Sequence, residues 1–474
     1  MNPRKPSSWV LPVAAILYLI ALLPTYGKSP FIYDSFFNVW RSRQIVEDPS
    51  SLVRPDFMGR FGPLYTVFFF LMDRWFGFNS WVYGGIDIFL HLVNFILLFL
   101  VLRRLAGRET PALLASVFFL FSSTQWGVLW TTGQTMRLAC AGLSLASLLF
   151  FIRFIQTQRK IDVGLSLLFF AATFGLIEDA ISLPLLLLAI LILFPPRPMP
   201  GAKKFLLMLP FFLISLIYAS LSITVEGPKG WGLTLGPHIL VNLLFSVKEL
   251  VQFLLIPRPE LIPFSGVPGL VLRLLPAFLI FLWVGPWWFR KKIQIETRFL
   301  IFGIAWMVIT SLLYSLRPFS GVWQGRYLYI PGIGAAMVAG SVLYAIRRFS
   351  RHAFAAMAFY VLLLNISTTL FMIQKSRNEI KVATHEEIPI VYSLVSQIRD
   401  QLKTPIEIPP NTTLIVEGLP FSTARLEELL RIYYASVPDR IIEASEGQAV
   451  NVSAGRVLYV RLSENGLLNV EKRR

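Results

Sequence analysis

The sequence predicts an all-α polytopic membrane protein with about eleven transmembrane helices and a small C-terminal α/β domain. The chain has 474 residues, is 55% apolar and has a mean hydropathy of +0.63, far above a soluble protein of this length. Long apolar runs recur from residue 9 to residue 373, and in lipid such runs cross as helices because every backbone group must be paired. After residue 373 the apolar runs shorten and charged residues become more frequent.

Six clusters of Lys and Arg lie beside or between the apolar runs and predict the topology. Short loops rich in these residues stay in the cytoplasm. If the N-terminus is cytoplasmic, the predicted crossings put every cluster on the cytoplasmic side and the C-terminus outside. The clusters are Arg4/Lys5, Arg103/Arg104/Arg108, Arg153/Arg159/Lys160, Arg197/Lys203/Lys204, Arg290/Lys291/Lys292/Arg298 and Arg347/Arg348/Arg351.

One apolar stretch, 238–256, does not fit a simple crossing. Lys248 and Glu249 lie near its centre, where charge is costly in a bilayer. Counting it as a crossing would also move a basic cluster outside, so we interpret it as a helix that lies at the outer interface or dips into the membrane. The predicted crossings are 9–25, 82–102, 111–128, 136–152, 161–176, 180–195, 205–223, 268–289, 299–316, 328–346 and 352–373.

Charge and cysteine content exclude several classes of protein. The net charge of +17 would suggest nucleic acid in a soluble chain, but much of it lies in the loops that set topology and meet anionic lipid. We therefore expect membrane lipids as partners and no nucleic acid. The single cysteine, Cys140, lies in an apolar run, which argues against a disulfide framework or a cysteine-based metal site.

The composition divides the chain into two predicted domains. Residues 1–373 form the transmembrane domain, with a long first outer loop over 26–81. Residues 374–474 form a small extracytoplasmic α/β domain, since helical spacing over 391–402 is followed by strand-like segments. The predicted strands are 412–418, 440–445, 456–462 and 467–472.

Three acidic residues in predicted outer segments are candidate catalytic groups. Asp34 follows the first span, where a carboxylate could take a proton from a hydroxyl acceptor. The alternative, which position alone favours, is an ordinary solvated loop carboxylate. Glu178 and Asp179 fill a short turn between two apolar runs, and ionisable residues near membrane depth are usually functional. The alternative is a helix start, because acidic side chains favour the first turn.

Arg326 lies at the outer mouth of a predicted span and is a candidate phosphate ligand. A guanidinium there could pair bidentately with phosphate. Arg54 and Arg60 lie on the same predicted side and could join such an anion site. Alternatively, Arg326 is an interfacial anchor, with Tyr327 and Tyr329 in the aromatic belt.

The sequence lacks the motifs of soluble nucleotide donors. It has no Walker loop, no dinucleotide-binding glycine pattern after a strand and no His-Glu-x-x-His zinc pair. A Gly-x-Ser-x-Gly nucleophile elbow is also absent. A donor carried in the membrane fits the sequence better.

Several stretches follow one another in the order of a known family's motifs. They are Arg60, Pro63 and Leu64 with Asp73 to Gly77; Tyr83, Leu90 and His91; Val128 to Gly133, which includes Trp130; Glu178 with Pro184; and Arg326 to Pro331. The last is the most specific, since it matches Arg-Tyr-Leu-Tyr-Leu-Pro with one Ile replacement. Over roughly residues 1–350 the chain resembles the polytopic GT-C-fold glycosyltransferases, most closely the membrane half of the transmembrane O-mannosyltransferases with tetratricopeptide repeats and their bacterial relatives.

The chain departs from that family's motifs at several polar positions. Ile177 stands where the family has Lys, and Gly133-Gln134-Thr135-Met136 stands for Gly-Arg-x-Asp. Gly84 replaces the first His of the family's Tyr-His motif, and Asp87 replaces its Asn.

The resemblance implies a transferase, of the hexosyl- or mannosyltransferase kind, that uses a polyprenyl-phosphate-linked sugar at the outer face. The acceptor would be a hydroxyl of a protein, lipid or glycan. Asp34 would be the general base, Arg326 would bind the phosphate, and Glu178 and Asp179 would position acceptor or sugar or hold a cation. Further substrate-binding candidates are Tyr327, Tyr329, Arg54, Arg60, His91 and Trp130. A divalent cation is a candidate cofactor, since metal dependence varies in this fold.

Some alternatives stay open at the level of the sequence. His91 lies in an apolar helix, where a hydrogen-bonded core residue is the commoner role. A non-catalytic membrane protein that binds or transports a lipid-linked glycan would use the same basic groove. An ion-coupled transporter is disfavoured, because no paired halves with interrupted helices are visible. We expect a multi-pass protein of a bacterial plasma membrane.

Overall fold

The computed structural model describes a helical region and, separately, a small β-sheet. The described residues are 9–26, 42, 45–46, 48–53, 61–77, 79–129, 134–195, 200–223, 236–255, 297–316 and 325–379, and the strands within 412–473. Asp34, Arg54, Arg60, Trp130 and the predicted crossing 268–289 lie outside them.

Thirteen α-helices are described between residues 10 and 379. They are α1 Val10–Tyr26, α2 Pro63–Phe76, α3 Ser80–Ala106, α4 Glu109–Phe121, α5 Trp126–Leu129, α6 Thr135–Thr157, α7 Lys160–Thr173, α8 Leu183–Leu193, α9 Gly201–Ile223, α10 His238–Leu255, α11 Thr297–Ser315, α12 Tyr329–Phe349 and α13 Arg351–Glu379. Short 3₁₀ segments cover Pro49–Val53, Ser123–Gln125, Glu178–Ser182 and Gly325–Leu328.

The local sequence explains where helix α3 begins and ends. Asn79 caps its N-terminus, since the side chain accepts a hydrogen bond from Trp81 N at 3.2 Å. Gly107, in the left-handed conformation at φ 62°, ends it by donating to Arg103 O. Arg103 and Arg104 in the last turn complement the negative end of the helix dipole.

Four described helices are long and apolar enough to cross a membrane, and a bent pair makes a fifth candidate. They are Trp81–Ala106, Thr135–Thr157, Arg326–Arg348 and Arg351–Gln374, with Glu109–Phe121 and Ser123–Leu129 as the bent pair. The chain is therefore an integral membrane protein by the length and composition of these helices. The total of eleven crossings stays a prediction, and so does the position of α10 relative to the bilayer.

The segment of the predicted crossing 111–128 is not one continuous helix, because the helix breaks in its second half, and that the segment crosses the membrane stays a prediction. α4 ends at Phe121, and the chain bends by 46° at the break. Ser122 Oγ accepts a hydrogen bond from Thr124 N, which starts a new 3₁₀ turn. Asn365 Oδ1 accepts from Ser123 N at 2.9 Å, so a distant helix satisfies backbone freed by the break.

The helices pack around α3, α4, α6 and α12, with α7 against α6 and α11 against α12. Small residues permit the closest approaches. A Cβ added to Gly334 of α12 would lie 2.5 Å from Gly303 O of α11, and one added to Gly340 would lie 2.7 Å from Ala115 of α4. Such small-residue contacts are typical of helix packing in membranes.

Three of the basic clusters meet at one end of these helices. Arg104 Nη1 donates to Gln156 Oε1 at 3.2 Å, and Arg108 Nη1 donates to the Tyr344 hydroxyl at 3.2 Å. Gln156 is near the end of α6 and Tyr344 near the end of α12. The beginnings of α6 and α12 therefore lie at the opposite end of the bundle. Which end faces the cytoplasm stays a prediction.

Four strands are described in the C-terminal unit, and they form one sheet. The strands are β1 Thr412–Glu417, β2 Arg440–Glu443, β3 Arg456–Leu462 and β4 Leu468–Arg473, in the order β2-β1-β3-β4. β1 pairs in parallel with β2 and β3, and β4 is antiparallel to β3. The predicted helix over 391–402 lies outside the described residues, so the α/β class of this domain stays a prediction.

Candidate functional site

Arg137, in the first turn of α6, is the centre of a polar cluster at one end of the bundle. Its Nη1 donates to Asp179 Oδ2 at 2.6 Å and to the Tyr314 hydroxyl at 2.8 Å. Its Nε donates to Gln134 Oε1 at 3.0 Å. The side chains of Arg137 and Asp179 are only 5% and 1% exposed. Because a buried guanidinium needs an opposite charge and full hydrogen bonding, these acceptors explain how it is held there.

Tyr327 connects Arg137 to a second arginine, Arg326. The guanidinium carbon of Arg137 lies 4.6 Å from the centre of the Tyr327 ring, and that of Arg326 lies 5.3 Å from it. Cation–π attraction acts over such distances and here holds two like charges on one ring. We call this group the Arg137 cluster. It comprises Gln134, Arg137, Glu178, Asp179, Tyr314, Arg326 and Tyr327.

Four elements distant in sequence form the cluster. They are the first turn of α6, the 3₁₀ segment Glu178–Ser182, the last turn of α11 and the 3₁₀ segment Gly325–Leu328. Pro184 lies in the first turn of α8, where its fixed φ favours a helix start. The α-helix therefore begins just after the acidic pair and leaves Glu178 and Asp179 in a tight 3₁₀ turn.

The cluster also offers hydrogen-bond donors beyond those used inside the protein. Among the described residues, the buried amide nitrogen Nε2 of Gln134 has no acceptor. Arg137 uses Nε and Nη1 for the contacts above, and no described group accepts from its Nη2. Donors of this kind suit an oxygen-rich ligand, since a buried donor gains free energy when it finds an acceptor.

Exposure changes across the cluster. Arg137, Asp179 and Gln134 are buried, whereas Glu178, Arg326 and Tyr327 are half-buried. Glu178 is also close enough to Arg137 to act electrostatically on its guanidinium. The partly exposed side chains can therefore meet a ligand that the buried pair orients.

A second polar group lies within the bundle, around Tyr329. The Tyr329 hydroxyl is 2.8 Å from His91 Nδ1, and Asn94 Nδ2 donates to this hydroxyl at 3.0 Å. His91 Nε2 faces Leu120 O at 3.2 Å. His91, Asn94 and Tyr329 are fully buried. Both ring nitrogens of His91 thus bond protein groups, which fits the interpretation of a core histidine.

Asp87 links the same face of α3 to the start of α6. Thr135 Oγ1 donates to Asp87 Oδ1 at 2.5 Å, and both residues are buried. Thr135 directly follows Gln134 and begins the turn of α6 that carries Arg137. Asp87, which stands where the family's motif has Asn, therefore contacts the segment that carries the Arg137 cluster.

The structure brings four of the predicted site residues together and separates two others from them. Glu178, Asp179, Arg326 and Tyr327 lie in the Arg137 cluster. His91 and Tyr329 bond each other in the buried group instead. Asp34, Arg54, Arg60 and Trp130 lie outside the described residues, so their roles stay predictions.

Sequence reasoning missed Arg137, Gln134 and Tyr314. One signal was available, since Arg137 is a charged residue in a predicted crossing, and ionisable residues at such positions are functional candidates by default. The acidic partner 42 positions further along the chain was not visible. Only the packing of α6 against the segment Glu178–Ser182 shows the pairing.

No metal site is evident in the part of the chain that the structure describes. Within it, no group of three or more His, Cys, Asp or Glu side chains could hold an ion. Glu178 and Asp179 are two such residues, and Asp179 Oδ2 is already used by Arg137.

Comparisons with known proteins give similarity in structure only. No protein-family model matches the chain, and no curated protein matches it in sequence. Among solved structures, the oligosaccharyltransferase of Archaeoglobus fulgidus in the apo form is similar, with a TM-score of 0.49 and 12% identity over 91% of this chain and 64% of that one. The archaeal oligosaccharyltransferase AglB of the same organism, in complex with an inhibitory peptide and a dolichol-phosphate, gives 0.49 and 12% over 90% and 63%.

A third similar structure is that oligosaccharyltransferase in complex with zinc and sulfate, with a TM-score of 0.45 and 12% identity. These solved structures are of the class that the motifs resemble, GT-C-fold glycosyltransferases. The chain spans less than two thirds of their length. At these scores the likeness carries none of the functional proposals below, which rest on the cluster and on the motifs.

Proposed function

We propose that this protein is a membrane glycosyltransferase that moves a sugar from a polyprenyl-phosphate-linked donor to a hydroxyl acceptor, and that the Arg137 cluster binds the donor's phosphate. One observation carries the proposal: Arg137 and Arg326 lie against the same tyrosine ring, with the Gln134 amide beside Arg137. Two guanidiniums and an amide form a donor set that matches phosphate oxygens.

The hydrogen-bond donors of the cluster suit a bound anion at the exposed side. Asp179 pairs with Arg137 through Nη1, so Nη2 is not used in that pair. Arg326 is half-buried and so can reach a ligand from the surface side. The phosphate of a lipid-linked donor would then bridge the two arginines, while its prenyl chain lies along the apolar exterior of the helices.

The proposed reaction is a direct displacement at the anomeric carbon. The acceptor hydroxyl oxygen forms a bond to this carbon as the bond from the carbon to the phosphate oxygen breaks. The proton of the hydroxyl passes to Asp34, the proposed general base. The electron pair stays on the departing polyprenyl phosphate, and Arg326 and Arg137 stabilise its negative charge.

The two acidic residues of the cluster would have different roles. Asp179 is held by Arg137 at 2.6 Å, so we assign it the orientation of that guanidinium. Glu178 is half-buried and better placed to position the acceptor or the sugar. Tyr327 would keep the arginines apart at a fixed spacing.

The sugar, the acceptor and the side of the membrane on which the reaction occurs are also proposals. The motif resemblance favours a hexosyl- or mannosyl donor and an acceptor hydroxyl on a protein, lipid or glycan. The site would face the outside of a bacterial plasma membrane, with the N-terminus in the cytoplasm. The C-terminal domain, 374–474, would be on the same side as the acceptor.

A non-catalytic protein that binds or transports a lipid-linked glycan is the second candidate. The same donor set would serve it, and the replaced polar motif positions, such as Ile177 and Gly84, favour it. The two functions differ at Asp34. Loss of transfer with retained donor binding in Asp34→Asn supports the enzyme, and absence of transfer by the wild type with a panel of donors supports the alternative.

The test of the phosphate assignment uses purified protein in nanodiscs with labelled polyprenyl-phosphate sugars. Arg326→Lys keeps the charge but loses the bidentate fork. Loss of a charged hydrogen bond costs about 1.5–3 kcal/mol, so donor affinity should fall about ten- to one-hundred-fold. Arg137→Lys should have a similar effect.

The matched control is Arg348→Lys, an exposed arginine at the far end of α12. It should bind the donor as the wild type does. Equal donor affinity in Arg326→Lys, Arg137→Lys and the wild type would refute the assignment and leave Arg326 as an interfacial anchor.

A further inference from the structure

The Asn94 side chain bridges the two segments that carry the arginines of the cluster. Its Nδ2 donates to Leu138 O at 2.9 Å and to the Tyr329 hydroxyl at 3.0 Å. Leu138 directly follows Arg137, and Tyr329 lies three residues after Arg326. A single amide on α3 therefore contacts both the start of α6 and the start of α12.

The direction of these hydrogen bonds is fixed by their partners. Leu120 O can only accept, so His91 Nε2 carries the proton toward it and His91 Nδ1 is an acceptor. The Tyr329 hydroxyl must then donate to Nδ1 and accept from Asn94. Each partner has one orientation, which defines where Tyr329 and the adjoining 3₁₀ segment lie.

Packing reinforces the position of Asn94. Gly142, one turn beyond Leu138 on α6, lies against the amide, and a Cβ added to it would be 2.7 Å from Asn94 Oδ1. Asn94 itself is fully buried. The close approach of α3 and α6 that brings Asn94 to Leu138 thus requires a glycine at position 142.

We propose that Asn94 is a positioning residue that sets the separation of Arg137 and Arg326, and thereby the spacing of the donors that bind phosphate. The effect that we expect on donor binding rests on the proposed function. Displacing either arginine by about 1 Å would weaken a contact that needs both. His91 contributes by orienting the Tyr329 hydroxyl that Asn94 contacts.

The test compares two variants that disturb the bridge in different ways. Asn94→Leu removes the donor with little change of size, and Gly142→Ala leaves the amide but displaces it. Both should bind a labelled polyprenyl-phosphate sugar about tenfold more weakly than the wild type. Ser147→Ala, which removes a buried hydrogen bond from α6 to Ser166 O of α7, is the matched control and should bind normally.

Two further readouts separate positioning from a general loss of stability. Without any donor, amide hydrogen exchange over residues 134–138 and 325–329 should be faster in Asn94→Leu and Gly142→Ala than in Ser147→Ala. The double variant Asn94→Leu with Arg326→Lys should bind the donor within about twofold of Arg326→Lys alone, because effects that act through the same contact are not additive.

The outcomes distinguish the two proposals. Wild-type exchange in both segments, or fully additive binding losses in the double variant, would overturn the positioning role. If instead Arg326→Lys and Arg137→Lys bind the donor as the wild type does, the phosphate assignment fails. Faster exchange in the Asn94 and Gly142 variants would then still show that Asn94 fixes the two segments. Should Asn94→Leu not fold, Gly142→Ala provides the same comparison.

Discussion

Asp179 is the residue on which the geometry of the Arg137 cluster depends most directly. Its carboxylate lies 2.6 Å from Arg137 Nη1, and both side chains are buried. Removal of one partner of such a pair leaves a buried charge without compensation, which is far costlier than the loss of a surface pair. The contact between Arg103 and Glu109, at 3.8 Å with 44% and 39% exposed side chains, provides the comparison.

We predict that Asp179→Asn lowers the free energy of unfolding by about 3–5 kcal/mol, because the Arg137 guanidinium loses its counter-charge. Glu109→Gln should change it by about 0–1 kcal/mol, since solvent screens that pair. Thermal and denaturant unfolding of the purified variants in detergent measures both. Equal destabilisation by the two substitutions would contradict the conclusion that the buried Arg137 guanidinium depends on Asp179 for its counter-charge.

The sequence predicted part of this site, for identifiable reasons. Glu178, Asp179 and Arg326 stand out because each is a charge beside an apolar run, and Tyr327 follows from the same motif. Arg137 was missed because its partners come from segments distant in sequence. The pairing depends on how helices pack, which hydropathy does not encode.

At the scale of elements, the crossing of α11 and α12 is the tightest helix contact with a clear sequence cause. A Cβ on Gly334 would lie 2.5 Å from Gly303 O and 2.8 Å from Met307 N. Trp306 Nε1 donates to Ile330 O at 2.9 Å in the same contact. Because Tyr314 lies in the last turn of α11 and Tyr327 lies just before α12, this crossing determines how two parts of the Arg137 cluster meet.

Gly334→Ala should therefore separate α11 from α12 and lower stability by about 1–3 kcal/mol, the cost of overpacking. Gly164→Ala in α7 is the control, since nothing lies within 4 Å of the added Cβ. An alanine there should be neutral or stabilising by up to about 1 kcal/mol, as helix propensity predicts. The melting temperatures of the two variants measure this difference in stability. If Gly334→Ala is as stable as Gly164→Ala, the close crossing of α11 and α12 is contradicted.

The break between α4 and α5 shows where prediction at this scale fails. The run 111–128 is apolar throughout most of its length, so hydropathy alone predicts one helix. The bend depends on partners from elsewhere: the Tyr18 hydroxyl donates to Gln125 Oε1 at 2.8 Å, and Asn365 accepts from Ser123. A polar Ser-Ser-Thr-Gln segment in a crossing is a signal for such a break, although its consequence needs those tertiary contacts.

At the scale of the whole molecule, the two ends of the bundle differ in chemistry. One end carries basic loops joined by contacts such as that of Arg108 with Tyr344, and the other carries the Arg137 cluster. Helix α6, with 23 residues, is about 34 Å long and so separates these ends by roughly one bilayer. From the positive-inside rule we predict that the basic end faces the cytoplasm.

Labelling with an impermeant thiol reagent tests this orientation in intact cells. In a Cys140→Ser background, Pro420→Cys should be labelled from outside and Pro200→Cys only after permeabilisation. The existing cysteine is buried, so its removal should not disturb the loops. The reverse pattern at both positions would overturn the topology and place the Arg137 cluster in the cytoplasm.

Much of the helical framework could be predicted because the length of each apolar run can be read from the sequence. The boundaries of α3, α6, α11 and α12 lie within a few residues of the predicted crossings. Caps such as Gly107 and the prolines at helix starts account for several of the ends. What could not be predicted is which helices touch, since lipid-facing and protein-facing apolar residues are alike in composition.

The proposed role of the Arg137 cluster is to bind the phosphate of a lipid-linked sugar donor. A cryo-electron microscopy structure of the purified Asp34→Asn protein with an added polyprenyl-phosphate sugar tests it most directly, because that variant should bind the donor without transferring the sugar. We expect phosphate oxygens about 2.7–2.9 Å from Arg326 and from Arg137 Nη2 or Gln134 Nε2. Phosphate density at the basic loops on the opposite end, with none at the Arg137 cluster, would contradict it.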